Sequence, residues 1–585
     1  MKLLQTLILA IVTAACAMPS AAVEITRYVS ATGSGNGQSP ESPAPDLYGV
    51  LKLSRQVDAL TVYVTPGIYE LPNDDPDLSG AYKNVNLFGV NNFTEMLNPS
   101  PEMRPVIHCL NSGFEYSALV NLSFSVGSVG LTNCRVINVD ISKNLHMLMF
   151  AGQSSVFRNV TCRNMTVFNA HGDAFLDIDN CTVSGGTVGL QVENVKVYAH
   201  DCTFSKNSAG GAEIKSLGST FYNCDFLNNS GRGGATVWAL SNDETTNFIN
   251  CRFENNTTDS RDYAAGLTVK GCPVFVRNCL FLDNHGWGKL IDSNVGAFMD
   301  LDARFCIVNS SFLNNAGGVI TKAYPTDRAM YDYQCFNTVF WNNQGLEVSA
   351  PNGFDVRMAN CAMTGGTGIP ELDAERGILA LSSDMDGSDP SQNYPAFSWN
   401  EETGRYELGP NSALINAGCP TQYVTDIYGM ARCLYGKTDI GAIEYVGKIN
   451  IDPAQTPMNI NDDTNGWVGT TEFDGTKYGF VFAAGKSLSP DKIDPEKTVM
   501  RYAIDTGKLS DTPVQKGEVL VTFIEDSGQK VYFVNKWNSK IFEWIVIDRV
   551  EYTGAKPVVK AVTGKPGVIT VTANGKTRTF DTTQQ

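Results

Sequence analysis

Short runs of alternating apolar and polar residues make up most of the chain, and asparagine and glycine interrupt them at intervals. The fragment Asn-Cys-x-Phe recurs, with clear copies at Asn223, Asn250 and Asn278 and degenerate ones at Asn133, Asn180, Asp201, Asn309, Asn337 and Asn360. From Asn180 onward, successive copies are 21 to 31 residues apart. Alternation with a period of two and no helical periodicity predicts short β-strands joined by turns. A repeat of this length with several strands is typical of one coil of a parallel β-solenoid.

The repeated residues have predictable places in such a coil. Equivalent positions of successive coils lie about 4.8 Å apart, so like residues stack on one another. Cys and Phe of the fragment are two residues apart and therefore face the same inner side. We expect the asparagines, including one three residues after each repeated Phe, at the corners, where Asn tolerates left-handed backbone and its amide can bond to the next coil.

The stacked cysteines are expected to be mostly free thiols. Buried cysteine behaves as a small apolar residue, and in-register strands hold the Cβ atoms farther apart than the roughly 3.8 Å that a disulfide prefers. A metal site built from cysteine needs several Cys and His at close spacing, and we expect none in this chain.

Several motifs add a family resemblance over about residues 25–447. Phe-x-x-Asn followed by Gly233-Gly234-Ala235 resembles the repeats of polymorphic outer-membrane proteins, which are right-handed parallel β-helix adhesins. The opening Arg27-Tyr28-Val29-Ser30-Ala31-Thr32-Gly33 and the closing Thr438-Asp439-Ile440-Gly441-Ala442-Ile443-Glu444-Tyr445 are similar to secreted β-helix proteins with a choice-of-anchor Q domain. The resemblance implies an all-β fold, a right-handed parallel β-helix of the pectin-lyase-like kind, and parallel crossovers are generally right-handed. The chain departs from that pattern at Cys419 and Cys433, which lie outside the cysteine ladder and are the candidates for a disulfide.

The character of the sequence changes near residue 450, where Cys and His disappear and Lys and Thr become common. About eight strand-like runs follow, and Asn574-Gly575 and Asp526-Ser527-Gly528 are turn signals between neighbouring runs. We predict a β-helix over residues 23–447 and a smaller antiparallel β domain, a sandwich or barrel, over 448–585. This second domain has either an accessory binding or attachment role or that of an inert cap.

The N-terminus predicts export. Lys2 precedes an apolar run over residues 3–12 and small residues up to Ala22, the pattern of a signal peptide over residues 1–22. Residues 13–16 also resemble a lipoprotein processing site, so lipid anchoring through Cys16 is the alternative. In both cases we expect the mature chain outside the cell or on a bacterial cell surface.

Composition narrows the choice of partners. The 585 residues carry a formal net charge of −17 and are 43 % hydrophobic, which argues against disorder. Residues 1–450 hold 28 basic and 44 acidic residues, a net charge of −16, so nucleic acid is excluded as a partner by charge repulsion. After the leader, no apolar run is long enough to predict a membrane span.

One loop has the spacing of a calcium site. Asn461, Asp463, Asn465 and Glu472 match positions 1, 3, 5 and 12 of an EF-hand-type loop, with Gly466 at position 6. Asn461 replaces the usual Asp, and no helices are predicted beside the loop. A polar loop rich in turn-forming residues is the alternative. Calcium is the single cofactor that the sequence suggests, and none is required.

No residue can be assigned a catalytic role from the sequence. Asp177 with Asp179, or Asp300 with Asp302, would project from one strand face as a carboxylate pair. A lyase would instead need a base and a cation near its substrate. The candidates cluster around His285 and comprise Lys289, Arg304, Lys322 and Arg328; His171, beside Asp173, is a more isolated one.

Three tryptophans within the coils, Trp238, Trp287 and Trp341, either stack on sugar rings or pack inside. The sequence therefore favours a non-enzymatic, adhesin-like protein that binds a polysaccharide or a cell-surface glycan. The alternatives are a polysaccharide lyase or glycoside hydrolase acting on an acidic polysaccharide, and a purely structural envelope rod.

Overall fold

The computed structural model describes two stretches of the chain. The first comprises residues 23–73, 82–143, 146–150, 154–163, 165–168, 174–216, 218–239, 245–260, 262–270, 273–286, 298–301, 305–317, 320–322, 333–344, 348–349, 357–367, 370–383, 392–418, 426–430, 432 and 438–445. The second consists of the strands between residues 461 and 581. The chain divides into two compact units, residues 1–196 and 197–585.

The first unit is built from short strands that pair in parallel on three faces of a coil. Its first face contains Glu24–Val29, Ala59–Val64, Val85–Gly89, Ala118–Val120, Arg135–Lys143, Ser154–Cys162 and Ala174–Asp179. Its second face contains Ile68–Leu71, Val106–Cys109, Ser123–Ser125 and Thr182–Ser184, together with the ends of the two nine-residue strands. Its third face contains Tyr82–Lys83, Asn111–Glu115, Ser128–Thr132, His146–Phe150, Met165–Phe168 and Leu190–Glu193.

The second unit repeats the three-faced coil. Its first face contains Thr220–Tyr222, Thr246–Ile249, Val274–Arg277, Phe305–Val308, Tyr333–Phe336 and Arg357–Ala359. The strand Val195–His200 pairs with Thr220–Tyr222 on the same face. Its second face contains Thr203–Ser205, Asp225–Leu227, Arg252–Glu254, Leu280–Leu282, Ser311–Leu313, Val339–Trp341, Ala362–Thr364 and Leu379–Leu381. Its third face contains Ala212–Ser216, Ala235–Ala239, Leu267–Lys270, Phe298–Leu301, Ile320–Lys322 and Val348–Ser349. The short strands Thr257–Thr258 and His285–Gly286 pair beside these faces.

Helical structure is sparse among the described residues. The α-helices are Leu47–Leu51 and Pro370–Arg376, and the 3₁₀ helices are Lys52–Arg55 and Pro101–Met103. The Asp46 carboxylate caps the first helix by accepting a hydrogen bond from the Gly49 N–H at 3.0 Å. No helix in the part of the chain that the structure describes is long and apolar enough to cross a membrane. The parallel, three-faced coils of both units confirm the predicted fold class, an all-β right-handed parallel β-helix.

Asparagine makes the sharp corners between the first and second faces, as predicted. The residue that opens each Asn-Cys-x-Phe copy has a positive φ, for example 53° at Asn223, 54° at Asn250 and 56° at Asn278. A second left-handed asparagine follows the repeated Phe by two residues, as at Asn228 and Asn255. Asparagine is favoured here because its short polar side chain makes left-handed backbone less costly than it is for most residues.

The asparagine three residues after each Phe does not make the left-handed corner that the sequence predicts. Asn207, Asn229, Asn256, Asn284 and Asn315 are buried and lie outside the positive-φ set. Each Nδ2 donates to the Oδ1 of the asparagine one coil further on, at 2.9 to 3.0 Å. The predicted amide bond to the next coil is confirmed. The predicted left-handed corner was wrong at these residues because the residue before each of them makes the turn, and that residue is Lys206 or Asp283 in two of the coils.

Phenylalanine and cysteine fill the interior. Phe226, Phe253 and Phe281 stack with ring centroids 4.7 and 4.6 Å apart. The eleven described cysteines are all free, and ten of them are buried. Burial raises the pKa of the Cys134 thiol to about 12. The expected ladder of free thiols is confirmed for these residues.

Glycine allows the chain to pass closely over the third face. Gly233 has a φ of +76°, and a Cβ atom there would lie 2.3 Å from the Ala265 carbonyl oxygen. Only glycine fits such a position, since any side chain would clash with the neighbouring coil. This close approach explains the Gly-Gly-Ala fragment before the strand Ala235–Ala239.

Two further sheets lie beyond residue 460. The seven-stranded sheet contains Asn461–Asp463, Gly466–Phe473, Thr476–Phe482, Val499–Ala503, Glu518–Asp526, Gln529–Asn538 and Glu543–Glu551, and it is antiparallel except between its third and fourth strands. The three-stranded antiparallel sheet contains Val558–Ala561, Val568–Ala573 and Lys576–Asp581. Asp526 pairs with Gln529 and Ala573 pairs with Lys576. Both predicted turn signals therefore lie where two antiparallel strands are connected. The boundary at 447/448 and the choice between sandwich and barrel stay predictions.

Candidate functional site

A column of three outward-facing side chains crosses the third face of the second unit. Lys215, Trp238 and Lys270 occupy equivalent register positions on three successive strands. Val237 and Val269 precede the last two residues and are buried in the core. Because side chains alternate along a strand, the column lies on the outer side of the coil.

The two lysines cover Trp238 from both sides. Lys215 Nζ lies 4.7 Å from the Trp238 ring centroid, and Lys270 Nζ lies 5.2 Å from it. Because Lys215 belongs to the preceding coil and Lys270 to the following one, the two ammonium groups approach opposite faces of the indole. Each such contact is worth about 0.5–1 kcal/mol at an exposed site. A sugar ring could stack flat on Trp238 only if one lysine moved aside, so the indole edge is the accessible part.

Residues from two neighbouring turns widen the column. The Tyr263 ring lies 5.4 Å from Lys270 Nζ and 5.6 Å from the guanidinium carbon of Arg232. We call the surface formed by Lys215, Arg232, Trp238, Tyr263 and Lys270 the Trp238 face. It brings three cations and two aromatic rings together on a protein of strongly negative net charge.

One carboxylate balances part of this charge. Glu213 is buried, forms an ion pair with Arg232, and lies 3.5 Å from Lys215 Nζ. Lys270, by contrast, contacts aromatic rings and forms no ion pair with any carboxylate of the described residues. Lys270 is therefore the cation best placed to receive an external anion. The Trp238 Nε1–H is also buried without a hydrogen-bond partner among the described residues.

A second polar cluster lies on the second face. Arg252 donates from Nε and Nη2 to the two carboxylate oxygens of Asp225, at 3.0 Å each, and Arg252 Nη1 lies 3.3 Å from Glu254. Burial raises the pKa of Glu254, and the negative charges of Asp225 and Asp283 add to that rise. Burial also raises the pKa of Asp283. The cluster therefore contains two weakly acidic carboxyl groups, those of Glu254 and Asp283. Its guanidinium already pairs with Asp225 and Glu254.

The first predicted carboxylate pair is held in an ion-pair network. Arg158 Nη2 lies 2.5 Å from Asp177 Oδ2, and Arg158 Nε lies 3.3 Å from Asp179 Oδ2. Arg158 and Asp179 occupy equivalent positions on neighbouring strands, which explains how one side chain reaches both carboxylates. One guanidinium engages both carboxylates and balances one of their two charges, which favours a structural role over that of an acid and a nucleophile.

The other predicted catalytic residues are only partly described. His285 is exposed in the two-residue strand that pairs with Thr257–Thr258. Asp300 and Lys322 occupy equivalent positions on neighbouring strands of the third face. The remaining candidates lie outside the described residues and comprise His171, Asp173, Lys289, Asp302, Arg304 and Arg328.

Of the three tryptophans that were candidates for sugar stacking, two are described, and their surroundings differ. Trp238 is partly exposed at the centre of the Trp238 face. Trp341 is buried and packs against Tyr394 and Phe397, with ring centroids 6.0 Å apart in both contacts, so it belongs to the core. Trp287 lies outside the described residues.

The calcium loop takes the form of a hairpin. Asn461 and Asp463 lie on one strand, and Asn461 pairs with Val468 on the next. Glu472 lies four residues beyond Val468 on that strand and pairs with Lys477. Asn465 lies outside the described residues. The backbone therefore spreads the candidate ligands along a hairpin instead of curling them round one point, and calcium binding stays a prediction.

The remaining predicted residues cannot be placed. Cys419, Cys433 and Cys16 lie outside the described residues, so the disulfide and the lipid anchor stay predictions. The signal peptide over residues 1–22 lies outside them as well.

The comparison with protein families agrees with the fold. Residues 125–298 match the family described as right handed beta helix region. The crystal structure of pectate lyase Pel9A is similar at 14 % identity and a TM-score of 0.29, over 73 % of this chain and 98 % of that one. A structure from Geobacillus virus E2, ORF18, is similar at 10 % identity and a TM-score of 0.21, over 94 % of this chain and 85 % of that one. Both similarities are too weak to carry a function across. No curated protein matches the chain.

Sequence reasoning found Trp238 and missed its partners. Lys215 and Trp238 each lie three residues after the alanine of a Gly-Gly-Ala fragment, at Ala212 and Ala235. Aligning the coils on that alanine would have placed the two side chains in one column. Lys270 follows Gly266-Leu267, where the alanine is replaced, so the same alignment is harder to see there.

Proposed function

We propose that the protein is an exported, surface-exposed or secreted β-helix that binds acidic glycans through the Trp238 face without cleaving them. The observation that carries this proposal is the set of cations around two aromatic rings, in which Lys270 has no carboxylate partner among the described residues. Carboxylate or sulfate groups of a glycan would pair with Lys270 and Lys215. Apolar sugar faces would pack against the edge of Trp238 and against Tyr263.

The negative charge of the rest of the protein supports the Trp238 face as the binding site for an acidic glycan. A polyanion is repelled by most of a surface that carries a net charge of −17. An acidic glycan would therefore bind where positive charge is concentrated. Because the contact is electrostatic and exposed, its affinity should fall as the salt concentration rises.

Retention on immobilised polysaccharides tests the proposal. The full chain is passed over columns that carry polyuronate, sulfated or neutral polysaccharide, and we expect retention on the acidic columns. Lys270→Ala should weaken binding about tenfold, because an exposed charge pair at close range is worth roughly 1 kcal/mol and the ring contact is lost as well. Lys52→Ala is the matched control, since Lys52 Nζ lies 3.8 Å from the Tyr48 ring outside this face.

Glu213 provides a variant with the opposite expected effect. Glu213→Gln removes the charge that balances Arg232 and Lys215, while the amide oxygen can still accept a hydrogen bond from Arg232. We expect tighter retention on acidic columns and no change on neutral ones. Unchanged binding in both Lys270→Ala and Glu213→Gln would contradict the assignment of the face.

A polysaccharide lyase is the second candidate, because the same lysines and Arg232 could supply a base and neutralise a substrate carboxylate. The same experiment separates the two functions. Ultraviolet-absorbing unsaturated products or new reducing ends in the column eluate would show that the protein cleaves the polysaccharide. The lyase assignment would then replace the binding assignment. Retention of intact polymer would support the binding protein.

A further inference from the structure

The closing segment of the second unit, described at residues 411–418, 426–430, 432 and 438–445, is fastened across several coils. Arg432 Nη2 donates to Asn278 Oδ1, Gly441 N donates to the Asn337 carbonyl oxygen at 2.9 Å, and Ala442 N donates to Ser311 Oγ at 2.8 Å. These contacts attach the segment to the asparagine corner and to the second-face strand Ser311–Leu313.

Four charged side chains are buried inside this attachment. Asp426, Asp439 and Glu444 are 1 %, 3 % and 3 % exposed, and Arg432 is 4 % exposed. Arg432 Nη1 lies 2.7 Å from Glu444 Oε1. Arg432 thus pairs directly with Glu444, and it is the one cation of the described residues buried together with the three carboxyl groups.

The carboxyl groups hold the backbone of the segment in place. Asp426 Oδ1 accepts hydrogen bonds from the N–H groups of Tyr428 and Met430 at 2.8 Å each, and its Oδ2 accepts one from the Glu444 N–H at 2.9 Å. Asp439 accepts hydrogen bonds at 2.7 Å from two further backbone N–H groups, those of Asn416 and Tyr445. Loss of the cluster would therefore release most of the segment at once.

Among the described residues, Arg432 is the only cation that pairs with these carboxyl groups. Neutral coil side chains, those of Asn278, Ser311 and Asn337, hydrogen-bond to the segment, and Val339 packs against it. The described part of the segment also carries the phenols of Tyr428 and Tyr445 beside the cluster. Arg252 and Arg405 act on the Tyr428 phenol.

Charging all three carboxyl groups would leave two buried negative charges without a cation, which is costly in a low-dielectric interior. We infer that the closing segment is a proton-dependent clasp, which stays fastened while its carboxyl cluster holds a proton and opens as rising pH removes that proton.

The direction of the titration agrees with the geometry. Burial raises the pKa of Asp426 to about 6 and that of Asp439 to about 7, although backbone N–H donors and Arg432 act in the opposite sense. Burial and the charge of Asp439 also raise the pKa of Glu444. In the opened segment these groups would return to ordinary values near 4. The fastened form therefore binds more protons between about pH 4 and pH 7, and rising pH favours the open form.

Hydrogen exchange of the full chain tests the clasp. Exchange of the backbone amides that the carboxyl groups bind is measured across this pH range and corrected for the intrinsic pH dependence of exchange. Each proton released on opening should raise the opening equilibrium about tenfold per pH unit within this range. The amides of Phe226 and Phe253, inside the coils, serve as the reference. Opening that is independent of pH, or that increases toward acid, would overturn the proposal.

Glu444→Gln separates the clasp from general effects of pH. Gln keeps an oxygen for Arg432 and for the Asp439 N–H but loses the charge. The opening of this variant should depend less steeply on pH than that of the wild type. Glu402→Gln removes an exposed charge between the paired antiparallel strands Phe397–Asn400 and Arg405–Leu408, and it should keep the wild-type slope. An unchanged slope in Glu444→Gln would exclude the cluster as the source. If that variant does not fold, the wild-type exchange profile alone decides.

Discussion

The side chains of Asn256 and Asn284 meet one coil apart in a hydrogen bond that both buries and satisfies them. Asn256 Nδ2 donates to Asn284 Oδ1 at 3.0 Å, and the Asn256 backbone N–H donates to the same oxygen at 3.2 Å. Asn256 Nδ2 also donates to the Phe226 carbonyl oxygen at 2.8 Å. One amide thus links three coils, which makes this buried column a strong contributor to the cohesion of the second unit.

Replacing Asn256 with alanine should therefore be costly. Asn256→Ala leaves the Asn229 backbone and side-chain N–H groups without their acceptor and the Phe226 carbonyl oxygen without its donor. Each buried group left unsatisfied costs roughly 1–3 kcal/mol. We expect a loss of about 3–5 kcal/mol in the free energy of unfolding, measured by urea titration.

The neighbouring residue is a matched control. Asn255 is exposed with a φ of 53°, so Asn255→Ala loses mainly its left-handed preference, at about 1 kcal/mol. Equal losses in Asn256→Ala and Asn255→Ala would contradict the role given to the buried column.

The aromatic stack gives a second stability prediction. Phe253 lies between Phe226 and Phe281, with interplanar angles of 4° and 6°. Phe253→Ala should cost about 3–5 kcal/mol because it removes a buried ring and leaves a cavity. Phe253→Leu keeps most of the apolar volume and should cost less than about 2 kcal/mol. Urea titration of both variants checks the order, and a Leu variant as unstable as the Ala variant would contradict it.

The repeated fragments made the fold predictable from sequence. Asn-Cys-x-Phe encodes a corner and two inward side chains, so the residues themselves specify where the chain turns and what it buries. The buried role of Asn256 was missed, because a pattern of letters does not say which of two adjacent asparagines, Asn255 or Asn256, makes the turn.

The candidate site was less predictable for a physical reason. Lys215, Trp238 and Lys270 come together because coils of unequal length keep their third-face strands in register. Sequence separation does not reveal that register, and single lysines on a polar strand face look alike. The closing segment was recognised by its motif, but its clasp depends on burial that only the packed coils provide.

Thiol reactivity should follow burial along the cysteine ladder. Cys251 and Cys279 are fully buried, whereas Cys306 is partly exposed. Burial raises the pKa of the Cys279 and Cys306 thiols, which slows the reaction of both. Iodoacetamide labelling of the native chain, mapped by mass spectrometry, should modify Cys306 first. The two buried thiols should react only after denaturation. Labelling of Cys279 as early as Cys306 would show that the ladder opens more readily than its packing implies.

Removing the guanidinium of the closing segment should destabilise the chain in a pH-dependent way. Arg432→Met leaves the carboxyl groups of Asp426, Asp439 and Glu444 buried without a cation, and breaking a buried pair in this way costs about 3–5 kcal/mol. Without Arg432 the folded-state pKa values of these carboxyl groups rise further above their unfolded values. The folded variant then binds more protons than the unfolded chain, so its stability falls as pH rises.

The loss for Arg432→Met should accordingly be largest near about pH 7.5 and smaller near about pH 5, where the carboxyl groups are protonated and need no partner. Urea titrations at the two pH values measure both losses. Arg405→Met is the matched control, because Arg405 is exposed and contacts the Tyr428 ring at 4.8 Å without pairing to the buried carboxyl groups. Its cost should stay near 1 kcal/mol at both pH values. An Arg432→Met loss of equal size at the two pH values would mean that the guanidinium acts through packing and its contacts to Asn278 and Gly441, not through charge.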